Sequence, residues 1–210
     1  MTPTTLREVL VATGNPHKLD EIRSVLGPMG IRVLGLDDVG SEFPEPDENG
    51  STFEANARIK ATAYARMTGR TCLADDSGLE VDALDGAPGV HSAYFAGREG
   101  TRAERDARNN RLLLERLRGV PSERRTARFV CTMCLATPEG QVLAQARGHF
   151  PGVIIDTPRG ANGFGYDPLL FLPNEGRTSA ELSHEEKNAR SHRGHATRLM
   201  AERLRELGLA

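Results

Sequence analysis

Short apolar runs alternate with stretches of helical periodicity along the first part of the chain. Residues 9–12 and 31–36 have the pattern of strands, and apolar side chains recur at helical spacing between them, over residues 19–26. Farther along, residues 127–137 and 141–148 have the pattern of two strands joined by a tight turn. Helices that alternate with strands, followed by a hairpin, indicate an α/β protein with a mixed sheet.

Composition and length set the broad class. The chain has 210 residues, 38% of them hydrophobic, and neither an internal repeat nor a long linker divides it, so we expect a single domain over residues 1–210. Its net charge of −2 lacks the basic excess of nucleic-acid-binding proteins. No run approaches the roughly 18 apolar residues of a membrane span, and we expect no secretory leader. We expect a cytoplasmic protein that binds neither a nucleic-acid polymer nor a membrane.

Two of the three cysteines have the C-x-x-C spacing that also occurs in redox and metal sites. Cys131 and Cys134 lie in a strand predicted over residues 129–136, where their odd spacing places the two side chains on opposite faces. With Cys72, the three thiols cannot all pair within the chain. We therefore predict buried, free thiols.

Three segments have the form Ser/Thr-x-x-Glu that caps a helix N-terminus. Ser51-x-x-Glu54 is predicted to open an Ala-rich helix that ends at Gly69. Thr101-x-x-Glu104 is predicted to cap a third helix, and Ser183-x-x-Glu186 the last one.

The segment between the first predicted strand and the first predicted helix is a candidate phosphate site. It consists of Thr13, Gly14, Asn15, Pro16, His17 and Lys18. Amide groups at a helix N-terminus lack intrahelical partners and lie at the positive end of the helix dipole, so they attract phosphate. The segment does not match the P-loop pattern, and an ordinary strand–turn–helix connection with Asn15 as the cap remains the alternative.

A pair of acidic residues is predicted at the end of the strand over residues 71–74. Asp75 and Asp76 are followed by Ser77 and Gly78. Adjacent carboxylates resist burial unless a cation is near. Mg²⁺ binds one or two carboxylates together with substrate phosphates, so this pair and the phosphate segment indicate a Mg²⁺ site. An exposed polar turn is the alternative.

Two later segments are candidates for contacts with a ligand. Residues 163–168, Gly-Phe-Gly-Tyr-Asp-Pro, offer an aromatic face for stacking, and Asp167 is suited to accept from a base edge or to orient a neighbour; a tight turn is the alternative. Lys187 and residues 191–194, Ser-His-Arg-Gly, lie in the last predicted helix. Basic residues on a helix usually form its solvated face, but a glycine within the helical pattern is unusual.

Together these segments resemble the Ham1/RdgB family, the inosine/xanthosine triphosphate pyrophosphatases, from residue 9 to about residue 194. The matching motifs are Ala12-Thr13-Gly14-Asn15 with Lys18, Glu48 ahead of Gly50-Ser51-Thr52-Phe53, Asn56-Ala57 with Lys60-Ala61, Ala74-Asp75-Asp76-Ser77-Gly78-Leu79-Glu80-Val81, Gly86-Ala87-Pro88-Gly89, Gly163-Phe164-Gly165-Tyr166-Asp167-Pro168 and Ser191-His192-Arg193-Gly194.

The resemblance implies a two-lobed α/β fold with a long central mixed sheet flanked by helices, a nucleotide cleft between the lobes, and a homodimer. It also implies Mg²⁺-dependent hydrolysis of non-canonical purine triphosphates such as ITP, dITP and XTP to the monophosphate and pyrophosphate. Residues 13–18 would hold phosphates, and Glu48 and Asp76 would bind Mg²⁺, with Asp76 as proton acceptor. The residues implied to contact the nucleotide are Ser77, Phe164, Gly165, Tyr166, Asp167, Lys187, His192 and Arg193, with Phe164 stacking on the base and with Lys60 and Asp75 in supporting roles.

The chain departs from the family pattern at two positions. Ala55 stands where members often have Glu, and Tyr94 where many have a basic residue, which leaves open whether Arg98 supplies the missing charge. Two other functions fit the motifs less well. Maf-like nucleotide pyrophosphatases lack the Ser-His-Arg-Gly segment, and a regulatory nucleotide-binding module would not need the paired acids.

Overall fold

The computed structural model describes residues 6–40 and 43–210. Its strands are β1 (Glu8–Val11), β2 (Arg32–Leu34), β3 (Cys72–Val81), β4 (Thr126–Ala136), β5 (Val142–Ile154), β6 (Leu170–Leu172) and β7 (Arg177–Thr178). Its α-helices are α1 (Pro16–Leu26), α2 (Phe53–Thr68), α3 (Arg102–Arg116), α4 (His184–Arg190) and α5 (His192–Glu206).

The strands form one seven-stranded sheet in the order β2-β1-β3-β4-β5-β6-β7. Strand β1 runs parallel to both β2 and β3, whereas β6 is antiparallel to β5 and β7. The sheet is therefore mixed, and the predicted α/β fold is confirmed. None of the helices described is long and apolar enough to cross a bilayer.

By their contacts the described residues divide into two compact units. The first unit takes residues up to Asp76, then Cys131–Gly148 and His192–Ala210, and the second takes Ser77–Val130 and His149–Ser191. Strands β3, β4 and β5 contribute residues to both units. The single domain expected over the whole chain stays a prediction.

Both faces of the sheet are covered in the first unit. Along β1, Val9 and Val11 join a cluster with α1 and α5, whereas Leu10 joins one that includes residues of α2. The same alternation separates the cysteines of β4: Cys131 belongs to the cluster of Val9, and Cys134 packs with alanines of α2. All three cysteines are buried and free, as predicted.

The core of the second unit gathers around helix α3. Leu113 and Leu117 pack there with Leu79 of β3, Phe150 of β5 and Leu170 of β6, and all five are buried. Thr101 caps α3 through the predicted capping box with Glu104, because each side chain bonds the other's backbone amide.

The predicted capping box at Ser51 was wrong by one residue. Thr52 is the N-cap of α2, and its hydroxyl accepts from the amide of Ala55 at 3.1 Å. The side chain of Glu54 is drawn away from the cap because it contacts Arg147 and Thr132. The helix ends at Gly69 in the left-handed conformation, as predicted.

The last predicted helix is two helices. Ser183 and Glu186 form the predicted box, but they cap α4, which ends at Arg190. Ser191 then adopts ψ 153°, outside the helical range, and α5 begins at His192. The basic segment therefore opens a new helix instead of lying along the face of one long helix.

Candidate active site

The acidic pair lies inside a strand and not at its end, contrary to the prediction. Strand β3 continues through Asp75 and Asp76 to Val81. Successive side chains of a strand point to opposite faces of the sheet, so the two carboxylates have different surroundings. The two acids do not form one cation site, and their mutual repulsion is no evidence for a metal between them.

Asp75 lies between two basic side chains. Its carboxylate is 2.9 Å from Nζ of Lys18 and 3.5 Å from Nε of Arg193, and its side chain is 4% exposed. Burial alone raises the pKa of Asp75, but the positive charges of Lys18, Arg193 and Lys60 outweigh it and hold that pKa far below its usual range. Asp75 therefore stays ionised.

The Arg193 side chain is buried, unlike the side chain of a residue on the solvated face of a helix. Its side chain is 7% exposed, and its guanidinium also lies 3.6 Å from the Glu21 carboxylate of α1. His192 beside it is buried as well. The carboxylates of Asp75 and Glu21 fix the position of this cation at the start of α5.

Asp76 belongs to a second group, on the other face of β3. Nζ of Lys60 lies 3.2 Å from one of its oxygens, and the amide of Asn56 donates to the other at 3.2 Å. Burial is the main cause that raises the pKa of Asp76; the charge of Glu48 adds to it, and Lys60 opposes it. Asp76 is thus the carboxylate of the pair better suited to take up a proton.

Glu48 joins the same group through Lys60. Its carboxylate lies 2.9 Å from Nζ of Lys60, so two carboxylates from distant parts of the chain contact a single ammonium. Within the described ranges no set of three or more His, Cys, Asp or Glu side chains could hold a metal. Two carboxylates with oxygen donors only suit a hard divalent cation that takes its remaining ligands from water and phosphate. The chemistry of Glu48 and Asp76 fits such an ion.

Asn56 was missed as a site residue. It is buried, accepts from the amide of Gly50 at 2.8 Å and donates to Asp76. A side chain at position 50 would collide with Asn56, since a Cβ there would lie 2.6 Å from its Oδ1. The sequence signal was available in the spacing, because residues 56 and 60 are one turn apart on α2.

The predicted phosphate segment lies between β1 and α1. The hydroxyl of Thr13 accepts from the amide of Asn15 at 3.1 Å, and the carbonyl of Asn15 accepts from Leu19, as in the first turn of a helix. Pro16 opens α1, with His17 and Lys18 next. Gly14 is exposed, and a Cβ placed on it would meet no atom beyond its chain neighbours within 4 Å, so its backbone is open to a ligand.

In the second unit, Asp167 organises residues 163–167. Its carboxylate accepts from the amide of Phe164 at 2.8 Å and from the hydroxyl of Ser179 at 2.7 Å, and it pairs with Lys187. The side chain of Asp167 is 2% exposed. Its bonds position Phe164 and Lys187, which accounts for the buried charge and corresponds to the second of the two roles expected for Asp167, that of orienting a neighbour.

Phe164 and Tyr166 have opposite environments. Phe164 is 47% exposed, whereas Tyr166 is buried, and its hydroxyl donates to the carbonyl of Ser92 at 2.9 Å. Gly165 between them has φ +62°, which favours glycine, and its amide donates to Asp106 at 2.9 Å. Phe164 is therefore the ring available for stacking. Ser77, in β3, is partly buried.

Two arginines lie beside Tyr94, one of the two positions that depart from the family pattern. The guanidinium carbon of Arg98 lies 4.2 Å from the centroid of the Tyr94 ring, and that of Arg105 lies 5.7 Å away. Such distances are those of cation–π contacts. Two arginines are thus held beside the position where the resemblance expects one basic residue.

Comparison with known proteins agrees with the motifs. A model of the Ham1 family matches residues 9–203. A dITP/XTP pyrophosphatase of an Exiguobacterium species is 52% identical over 91% of this chain and 93% of its own. One from Geobacter sulfurreducens is 48% identical over 95% and 97%. The structure of a HAM1 protein from Coxiella burnetii superposes with a TM-score of 0.85 at 40% identity, covering 95% of this chain and 98% of that one.

Proposed function

The chain belongs to the Ham1 family, and from this premise we propose that it hydrolyses non-canonical purine nucleoside triphosphates, namely ITP, dITP and XTP. The products are the nucleoside monophosphate and pyrophosphate, so the enzyme removes these nucleotides from the pool. The relatives that support this substrate class align over more than nine tenths of the chain. The observation that carries the proposal is the convergence of Asp76 and Glu48 on Lys60.

Glu48 and Asp76 are the residues that we propose to hold Mg²⁺. Held there, Mg²⁺ would supply positive charge to the triphosphate and would make an attacking water more acidic. Nζ of Lys60 contacts both carboxylates and offsets their repulsion. Lys60 therefore keeps the pair in place for the ion.

Asp76 is the proposed proton acceptor. Its burial and its neighbour Glu48 raise its pKa, which makes it a better base than an exposed aspartate. Asn56 and Lys60 each contact one of its oxygens and so fix the direction of the carboxylate. The attacking water gives its proton to Asp76 as the bond to the α-phosphorus forms and pyrophosphate leaves.

Lys18 and the amide groups at the start of α1 are the proposed phosphate ligands. Residues 13–18 present the positive end of that helix, and Gly14 leaves its backbone accessible. The carboxylate of Asp75 holds the Lys18 ammonium at 2.9 Å. Phosphoryl transfer depends mainly on such positioning and on neutralising charge.

Phe164, Ser77, Lys187, His192 and Arg193 are the proposed nucleotide contacts. Phe164 stacks on the base, but stacking cannot discriminate because every base has a π face. Arg193 is a hydrogen-bond donor without acceptor capacity, which suits the 6-oxo group of hypoxanthine and xanthine and leaves the 6-amino group of adenine without an acceptor. A mismatch of this kind can reach about 10⁴-fold discrimination.

The test is pyrophosphate release from dITP, dATP and dGTP, with and without Mg²⁺. We expect release that requires the metal and a kcat/KM for dITP far above that for dATP. A value for dATP within about threefold of that for dITP, a gap below ~1 kcal/mol, would rule out selection of the base by donors. Binding of dITP without turnover would instead support a regulatory module.

A further inference from the structure

Two cations lie beside the Phe164 ring, to which we assign base stacking. The guanidinium carbon of Arg102, in the first turn of α3, lies 4.2 Å from the centroid of the Phe164 ring, and Nζ of Lys187 lies 5.3 Å from the same centroid. Among the described residues, the Arg102 side chain contacts the Phe164 ring. The ring thus carries two positive charges beside it.

These two charges are not equivalent. Lys187 is neutralised by Asp167, whose carboxylate is almost completely buried. The carboxylate of Asp106, one turn along α3 from Arg102, accepts from the amide of Gly165 and so places a negative charge beside this loop. Arg102 is exposed, forms no ion pair within the described ranges, and can act on a ligand.

The guanidinium of Arg102 covers one face of the Phe164 ring, so a base stacks on the other face and is influenced by Arg102 across the ring. Stacked rings have centroids about 4.5–7 Å apart, so a base on the far face lies about one Debye length from the guanidinium. The interaction acts on the net charge of the base and needs no specific hydrogen bond.

The candidate bases differ in this charge. Hypoxanthine is neutral near pH 7, whereas xanthine, with two ring carbonyls, gives up a ring proton more readily and is largely anionic. A cation beside the stacking ring therefore stabilises bound xanthine more than bound hypoxanthine.

Resting on the proposed function, we propose that Arg102 is a specificity-determining residue that favours xanthine nucleotides over hypoxanthine nucleotides. Asp106 acts in the opposite direction, because its negative charge lies beside the same loop. The preference belongs to the anionic form of xanthine, so it disappears at acidic pH, where that base is neutral.

The test measures the ratio of kcat/KM for XTP to that for ITP, at pH 8 and at pH 5, in the wild type and three variants. Arg102→Gln is expected to lower the ratio roughly two- to fivefold at pH 8, the range for a partly exposed charge pair, with little change at pH 5. Asp106→Asn, which keeps an acceptor for Gly165, is expected to raise the ratio at pH 8. Arg111→Gln is the matched control, since it removes the same charge from an exposed position of α3 nine residues farther along.

An unchanged ratio in Arg102→Gln would overturn the proposal. If kcat/KM falls equally for XTP and ITP, Arg102 only positions Phe164. Calorimetric binding of XMP and IMP to the same variants keeps this test separate from the proposed function. A protein that binds XMP and IMP in the predicted ratio but releases no pyrophosphate would contradict the pyrophosphatase activity alone. Failure to bind either monophosphate would overturn the inference.

Discussion

At the level of single residues, Asp75 and Asp76 show how one step along a strand separates two functions. Asp75 is buried against Lys18 and Arg193, whereas Asp76 meets Lys60 and Asn56. Both are surrounded by partners, but the pKa of Asp75 is lowered and that of Asp76 is raised. Removing the charge should therefore lower stability at Asp75 and turnover at Asp76.

Asp76→Asn is expected to fold normally and to lose about 100-fold or more in kcat, since the amide cannot accept the proton from water. Lys60 retains Glu48 as its partner, so the free energy of unfolding should change by less than ~1 kcal/mol. Pyrophosphate release from ITP at saturating Mg²⁺ checks the first expectation, and urea denaturation checks the second. Turnover close to that of the wild type would remove Asp76 from the proposed role.

Asp75→Asn is expected to lower the free energy of unfolding by about 3 kcal/mol, because it leaves the buried Arg193 and the partly buried Lys18 without their shared carboxylate. Urea denaturation of the variant beside Asp76→Asn measures the difference. A loss below ~1 kcal/mol would mean that Glu21 alone compensates the charge of Arg193.

At the level of helices and strands, three helices carry much of the site. Helix α1 begins at the phosphate segment, α2 carries Asn56 and Lys60, and α5 begins at His192. The break at Ser191 lets His192 and Arg193 stand in the first turn of a helix. A continuous helix would have placed these residues along its face.

The cap of α2 provides a prediction with an internal control. Thr52→Ala is expected to cost ~1 kcal/mol of stability because the amide of Ala55 loses its acceptor. Ser51→Ala, at the neighbouring exposed position, should be nearly neutral. Thermal or urea unfolding of both variants distinguishes them, and a larger effect at Ser51 would make Ser51 the true N-cap.

Helix α5 approaches strand β5 closely at Gly148. A Cβ at this position would lie 2.2 Å from the carbonyl oxygen of His192 and 2.4 Å from the amide nitrogen of Ala196, both of them backbone atoms. Gly148→Ala should therefore displace the start of α5, at a cost of about 2–3 kcal/mol in stability, and lower activity through His192 and Arg193. Unfolding and ITP turnover measure these effects; wild-type stability would show that the helix adjusts freely.

At the level of the entire protein, the homodimer implied by the family resemblance stays a prediction. Symmetric pairs are the commonest oligomers, and the sequence contains no apolar stripe that identifies an interface. Light scattering at micromolar concentration is expected to give twice the 22.8 kDa mass of the chain. The monomer mass would contradict it.

The α/β class, the family and most of the candidate site residues could be predicted from the amino-acid sequence. Local patterns carry this information: apolar periodicity marks strands and helices, and motifs such as residues 13–18 and 163–168 are contiguous. The alternation of Cys131 and Cys134 followed from strand geometry and is confirmed. The helix end at Gly69 and the helix start at Thr101 followed from caps that depend only on neighbouring residues.

Which charges meet became clear only from the folded chain. Asp75 and Asp76 looked like one metal-binding pair because adjacent carboxylates repel in isolation, but cations from α1, α2 and α5 reach them on opposite faces of β3. Glu54 was expected to cap its own helix and instead contacts Arg147, 93 residues away. Arg102 lies over Phe164, which is also distant in sequence. Charge interactions depend on distance in space, and residues far apart in sequence come within that distance only when the chain has folded.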